Sequence, residues 1–273
     1  MSANVWGIAR ILNSIGWRLE SLKCKLIQIL ESRNFKRELS VEEILNSNFS
    51  RNDLYRYFQK SFRTWAPKWI RNHRSYFANN QRGFGEDAFH AAWYLIIRTF
   101  KPVRMLEVGV YRGQTISLWA LISGNMNHRF EILGISPMNS SGDGVSNYIT
   151  LDYEEDIKAN FKYFGLEPVD LLQAFSTDLI AKKTISSGNW DLVYIDGSHD
   201  YEVVKSDVAA ATEGLKRGGI LVLDDSSLLT DFNVSTREAF RGHPGPSKVF
   251  SEINPAQFEF LFGVGHNNFL RKK

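Results

Sequence analysis

Three aspartates and a histidine are the side chains of this 273-residue chain whose company suggests chemistry: Asp196 and His199 in YIDGSH, and the pair Asp224 and Asp225 in LVLDDS. Carboxylates that meet in a cleft repel one another unless protons or a cation intervene, and an all-oxygen set of Asp196, Asp224 and Asp225 suits a hard ion such as magnesium. His199 stands three residues past Asp196 and titrates near neutrality when unperturbed, which suits it to removing a hydroxyl proton. Support of a metal and orientation of a substrate are its other roles. The duller readings are that Asp225 and Ser226 cap a helix and that Asp196 and Gly197 form a turn. Histidines 73, 90, 128, 243 and 266 have no comparable neighbours in the sequence.

The strings WDLVYID (190–196) and GILVLDD (219–225) read as apolar strands ending in those carboxylates. Between them Tyr201, Val204, Val208, Ala211 and Leu215 fall at helical spacing, and Arg217, Gly218 and Gly219 stop the helix. Strand, helix and strand make a right-handed crossover, which directs both carboxylate-bearing ends to one edge of a parallel sheet. A third strand end belongs to RMLEVGVYRGQT (104–115), an apolar run leading through Glu107 into Gly109 and Gly113. Glycines there let a ligand approach the backbone, and the helix opening at Gln114 points free N–H groups into the same crevice, a geometry suited to a nucleoside-bearing cofactor. Close packing of strand on helix is the plainer use of such glycines. Further helices are expected over 85–100, 114–122 and 152–164, strands over 130–135 and 169–175, and a terminal hairpin from 258–264 and 268–271 around Gly265 and His266.

LEVGVYRGQT, YIDGSHDYEVVKSD (194–207) and LKRGGILVLDDS (215–226) together resemble the class I S-adenosylmethionine-dependent methyltransferases, in the branch of metal-dependent sugar O-methyltransferases of macrolide and aminocoumarin biosynthesis. The resemblance runs from about Arg82 to the C-terminus. It implies an α/β fold: a doubly wound, mostly parallel, seven-stranded Rossmann-like sheet with a terminal antiparallel hairpin, spanning 82–273 behind a helical, basic extension at 1–81. It also implies S-adenosylmethionine as methyl donor, held by Glu107, Gly109, Val110, Tyr111, Gly113, Ser136, Phe175, Ser176 and Asp196, and a Mg2+ held by Asp196, Asp224 and Asp225. Asp196 and His199 are then the catalytic pair, and the product is an O-methylated sugar or other hydroxylated metabolite. Glu107 has a rival role as a cap on the following turn, and Phe175 as a core side chain. One departure stands out: relatives carry an acid on the ribose hydroxyls at the end of the second strand, whereas GIS here supplies Ser136, with Asp143 in the loop NSSGDGVS (139–146) as a second candidate. A changed chemistry on the same site, as in a hydroxylase-like branch, a nicotinamide enzyme and a non-catalytic cofactor-binding protein are the alternatives; the incomplete glycine fingerprint GVYRG counts against the second.

The composition supports an enzyme with a packed core: 43% of residues are hydrophobic. The single cysteine, Cys24, rules out an internal disulfide, and with no leader pattern or long apolar run the expected compartment is the cytoplasm. The net charge of +3 is uneven: residues 1–82 carry a surplus of 9 positive charges and residues 83–273 a deficit of 6. Apolar residues from Val5 to Ile29 recur near helical spacing among Arg10, Arg18, Lys23 and Lys25, a pattern for docking on the same domain or a second copy in a homodimer, or for peripheral contact with an anionic membrane. The cations and aromatics of 51–74 are compatible with stacking on nucleic acid, but no nucleic-acid motif accompanies them, and covering a pocket or filling a core serves as well. The acceptor pocket is expected to draw on the extension, on 139–146, and on the turn-rich 230–246 as a lid.

Overall fold

The computed structural model describes residues 35–79, 82–140, 151–233 and 240–273. The amphipathic stretch at 5–29, Asp143 and part of the expected lid lie outside them. Among the described residues three helices come first: α1 (Val41–Leu45), α2 (Arg51–Thr64) and α3 (Lys68–Ala78). Ser40 with Glu43 and Ser50 with Asp53 form capping boxes that satisfy the first free N–H groups of α1 and α2. On α2 the rings of Tyr55, Tyr57, Phe58 and Phe62 are buried, so they fill core and cannot stack on bases. Then follow α4 (Asp87–Phe100), β1 (Arg104–Val108), α5 (Gln114–Asn125), β2 (Glu131–Ser136), α6 (Tyr153–Tyr163) and β3 (Asp170–Gln173). The chain continues through α7 (Leu179–Ser187), β4 (Trp190–Ile195), α8 (Tyr201–Gly214), β5 (Leu215–Leu223), α9 (Pro244–Ser251), β6 (Phe258–Val264) and β7 (Asn267–Lys272).

The seven strands form one sheet in the order β3-β2-β1-β4-β5-β7-β6. β1 to β5 are parallel, and β7 runs antiparallel between β5 and β6. The order reverses between β1 and β4, the place where an open α/β sheet leaves a crevice above its carboxyl ends. One face is covered by α2, α4 and α5 through Trp93, Trp119, Tyr194 and Phe269; the other by α7 and α8 through Ala181, Ile185, Val204 and Ala211. The N-terminal helices share the first core, with Phe58 stacked on Phe262 at 5.6 Å and Arg51 Nη1 donating to the Gly265 carbonyl at 3.0 Å. Among the described residues no helix is long and apolar enough to cross a membrane.

The structure shifts some boundaries. α8 ends at Gly214, not at 217–219, and β5 starts at Leu215. A Cβ on Gly214 would stand 3.0 Å from the Ile185 carbonyl carbon, so only glycine fits where the end of α7 presses on α8, and Leu215 leaves in extended geometry. Gly218, at φ +81°, accompanies a register shift between Trp190 and Leu192 inside the longer strand. Residues 244–246, the end of the segment read in the sequence as a turn-rich lid, instead begin the helix Pro244–Ser251, because Pro244 sits in its first turn, where its fixed φ suits a helix and its missing N–H costs nothing. His73 and His90 also have partners. Their rings form a buried chain, His90 Nδ1 on the Glu86 carbonyl (3.1 Å), His90 Nε2 on His73 Nδ1 (3.2 Å) and His73 Nε2 on Ser117 Oγ (3.0 Å). Burial holds both pKa values down, that of His90 to about 3, so both rings are neutral.

Candidate active site

The backbone joins four strand ends into one rim. Gly109 N–H donates to the Ile135 carbonyl (2.9 Å), Asp196 N–H to Val108 (2.8 Å) and Asp224 N–H to Ile195 (3.0 Å), so the ladder continues past the strands and sets 109, 196 and 224 side by side. Gly109 lies at φ +95°, and a Cβ there would stand 2.5 Å from Gly197 Cα, inside the Asp196 carbonyl group. The turn can therefore close on β4 only without a side chain. Gly113, at φ +79°, ends the turn and precedes the first residue of α5, leaving that helix's N-terminal N–H groups at the crevice. Val110 is buried against Gly134, while Tyr111 holds a left-handed φ of 47° and sets its ring between Phe84 and the edge of Tyr153.

Glu107 is fully buried beneath this turn. Burial drives its carboxyl well above the ordinary range, against hydrogen bonds from the Thr115 side chain and the Ile116 N–H, while Oε2 has no partner. One oxygen thus caps α5, as the plainer reading had it, and the other is left for a donor. Ser136 ends β2 and is buried. Phe175 is 48% exposed, which excludes the core reading, and its N–H donates to Asp178. The Ser176 hydroxyl is committed to Asp207 at 2.9 Å.

The three aspartates do converge. Burial and the neighbouring Asp224 carboxylate raise Asp196 well above the usual carboxylate range, and Asp196 shares a hydrogen bond with Asp224. Asp224 is raised by burial as well, while its other oxygen, Oδ1, lies 3.3 Å from His266 Nε2 without forming a hydrogen bond. Burial pushes Asp225 up too, but the His199 hydrogen bond and the charges of His266, His199 and His243 outweigh it and hold Asp225 low. His199 Nε2 is 3.0 Å from Asp225 Oδ2. Asp225 occupies a left-handed φ of 50°, fixed by bonds from His243 N–H to its carbonyl (2.8 Å) and from Ser226 N–H to the His266 carbonyl (2.9 Å). No helix begins at Ser226, so the capping reading of Asp225 fails.

His199 is not the lone histidine of this rim, and the sequence reading of His243 and His266 as isolated is wrong. His243 stacks on His199 with centroids 3.7 Å apart, and its Nε2 lies 3.7 Å from Asp225 Oδ2. His266 points Nε2 at Asp224 and Asp225. Both come from elements distant in sequence, the loop before α9 and the tight turn of the hairpin, and nothing in their local sequence shows the approach. Among the described residues two sets have ligand atoms within 4.8 Å of one another: His199, Asp225 and His243, and Asp224, Asp225 and His266. Asp196 belongs to neither, and neither is the all-oxygen set expected.

Residues 106–226, from β1 to just past β5, match the family model described as a methyltransferase domain. No curated protein matches the chain. Among solved structures, a Staphylococcus aureus protein described as a candidate caffeoyl-CoA O-methyltransferase superposes with a TM-score of 0.57 at 16% identity, over 80% of this chain and 99% of that one. The SAH-bound methyltransferase PaMTH1 of Podospora anserina gives 0.52 at 15%, over 76% and 89%. An O-methyltransferase from Bacillus cereus in complex with SAH gives 0.52 at 13%, over 82% and 100%. Such low identities speak for the fold. With the sheet order and the glycine turn after β1, they and the domain match lead to one conclusion: this chain has the methyltransferase fold and carries a methyltransferase domain.

Proposed function

We propose that the protein is an S-adenosylmethionine-dependent O-methyltransferase that methylates a hydroxyl of a sugar or another hydroxylated small molecule. The carrying observation is the His199–Asp225 contact of 3.0 Å at the strand-end rim that also bears the Gly109 turn. A base oriented by a carboxylate, beside a place for the donor, is what methylation of a poorly acidic hydroxyl requires.

The turn from Gly109 to Gly113 and the N-terminus of α5 receive the amino-acid end of the donor, with Glu107 Oε2 as the buried polar partner and Tyr111 alongside. Ser136 and Phe175 stand at the ends of β2 and β3, where the ribose and adenine would lie. The donor's sulfonium already activates its methyl group, so the protein's main task is alignment of acceptor oxygen, methyl carbon and sulfur. As the O–C bond forms and the C–S bond breaks, the hydroxyl proton passes to His199, and Asp225 stabilises the resulting imidazolium. The sulfur leaves as a neutral thioether. The carboxylate-rich rim fits a divalent cation, which when bound supplies Lewis acidity to the hydroxyl and is well matched to a vicinal diol. The sugar class rests on that match and on the motif resemblance.

The test is methylation of a panel of hydroxylated small molecules by isotopically labelled S-adenosylmethionine, read by mass spectrometry. The labelled methyl is expected on oxygen, with turnover falling about 100-fold or more in His199→Gln while affinity for S-adenosylhomocysteine holds. Label on nitrogen or carbon, or an unaffected His199→Gln, would refute the assignment of roles.

A further inference from the structure

We propose that the rim holds its cation through a nitrogen-bearing set, Asp224, Asp225 and His266, and takes a late first-row divalent ion such as zinc or cobalt in preference to magnesium. This deepens the reading of the rim as a methyl-transfer centre and rests on it only for the purpose of the ion, not for its binding.

Geometry is the first argument. His266 Nε2 stands 3.3 Å from Asp224 Oδ1 and 3.6 Å from Asp225 Oδ1. Ligand bonds of about 2.0–2.1 Å in a tetrahedron put neighbouring donor atoms about 3.3–3.4 Å apart. The octahedron that magnesium demands at the same bond length needs about 2.9 Å. The edge to Asp224 matches the tetrahedron, the edge to Asp225 is slightly longer, and both exceed the octahedron.

The second argument lies around the ligands. His266 and Asp225 are each only 8% exposed. His266 Nδ1 sits 3.1 Å from the Phe240 carbonyl, and a carbonyl only accepts, so one ring proton is fixed there and Nε2 is the atom that faces the two carboxylates. That is the outer contact by which a protein orients a metal-binding imidazole. The Asp224 oxygen facing Nε2 has no hydrogen-bond donor although it is buried. Asp225 gives its other oxygen to His199. The backbone at His266 is itself braced: Arg51 holds the Gly265 carbonyl, and the His266 carbonyl accepts from Ser226 N–H. Asp196, hydrogen-bonded to Asp224, positions that ligand without joining the set. Three protein ligands leave a fourth position for the acceptor oxygen, and a mixed nitrogen and oxygen set favours imidazole-loving ions over magnesium.

Cobalt(II) titration of the metal-stripped full-length protein, followed by visible absorption, tests this without any turnover. The expected result is saturable binding with the intense absorption of four- or five-coordinate cobalt, resisting about a 100-fold excess of magnesium. His266→Ala should weaken cobalt binding by about 100-fold or more and abolish that absorption, while Asp196→Asn, which alters a positioning group and no ligand, keeps the absorption at saturating cobalt. His266→Cys gives a second readout at saturating cobalt: a thiolate-to-cobalt charge-transfer band in the near ultraviolet. Unchanged cobalt affinity and spectrum in His266→Ala, no charge-transfer band in folded His266→Cys, or no saturable cobalt binding by the parent would each overturn the proposal; the last would leave His266 as an internal cation that itself neutralises the carboxylates. Calorimetry with S-adenosylhomocysteine on the same preparations separates a failure of this proposal from a failure of the methyltransferase reading.

Discussion

Gly109→Ala and Gly218→Ala form a pair that isolates what the glycine turn does. Both glycines have positive φ, +95° and +81°, where an alanine is strained by about 1–2 kcal/mol. Lower chain entropy in the unfolded alanine variants offsets about 0.4–1 kcal/mol of this at either site. The two positions differ in space. A Cβ on Gly218 meets nothing within 4 Å, whereas a Cβ on Gly109 falls on the Asp196 carbonyl group and 2.5 Å from Gly197 Cα. These are backbone atoms at the end of β4 and cannot rotate away. Relief requires the ends of β1 and β4 to part, an overpacking cost of about 1–3 kcal/mol in addition. Gly218→Ala should therefore cost about 1 kcal/mol and Gly109→Ala about 2–4 kcal/mol, and for a chain of this size each kcal/mol lowers Tm by about 2–4 °C. The displacement also moves Asp196, so calorimetry should show S-adenosylhomocysteine affinity falling at least about 10-fold in Gly109→Ala and unchanged in Gly218→Ala. Equal Tm shifts in the two variants, or undiminished affinity in Gly109→Ala, would refute the claim that close approach fixes this residue.

Further outcomes follow from buried groups. His90 is neutral in the fold with a pKa of about 3, against 6.5 for an ordinary histidine, so the unfolded chain takes up the proton first. Its contribution is intact above pH 6.5 and drains away as pH falls toward 3, about 1 kcal/mol being gone at pH 5.5 and about 3 kcal/mol at pH 4.5. Urea unfolding at these pH values should show a shallower acid slope in His90→Gln than in the parent, a comparison that cancels the opposing slope of the raised Glu107 and Asp196; parallel slopes would contradict it. Arg51→Met removes the donor from the Gly265 carbonyl and from Asn268 Oδ1 in a buried setting. It should lower stability by about 2–4 kcal/mol in chemical denaturation, and a loss under about 0.5 kcal/mol would show the brace to be idle.

The sequence carries the parallel half of the sheet clearly, because β1, β4 and β5 are apolar runs between polar turns and their ends bear the acids. The hairpin is equally legible, from two short apolar runs around Gly265 and His266. α7 is not. Its nine residues bury only Ala181 and Ile185 and leave Leu179 and Ile180 exposed, so no stripe marks it. The end of α8 misleads because the glycines at 218–219 look like a helix stop, while the decisive contact is Gly214 on Ile185, across two elements. The site shows the same division. Asp196, His199, Asp224 and Asp225 lie at strand ends and can be placed by topology alone. His243 and His266 reach the rim through tertiary folding of a loop and a hairpin turn, and the pairing of His73 with His90 joins two helices. Contacts of that kind leave no local pattern.

The most direct test is a calorimetric titration of the full-length protein with S-adenosylmethionine and, separately, with the nicotinamide dinucleotides. Saturable binding of the sulfonium at one site per chain, weakened at least about 10-fold in Gly109→Ala, with no heat from the dinucleotides, is the expected result. Saturable binding of a nicotinamide dinucleotide, with none of S-adenosylmethionine, would contradict the account.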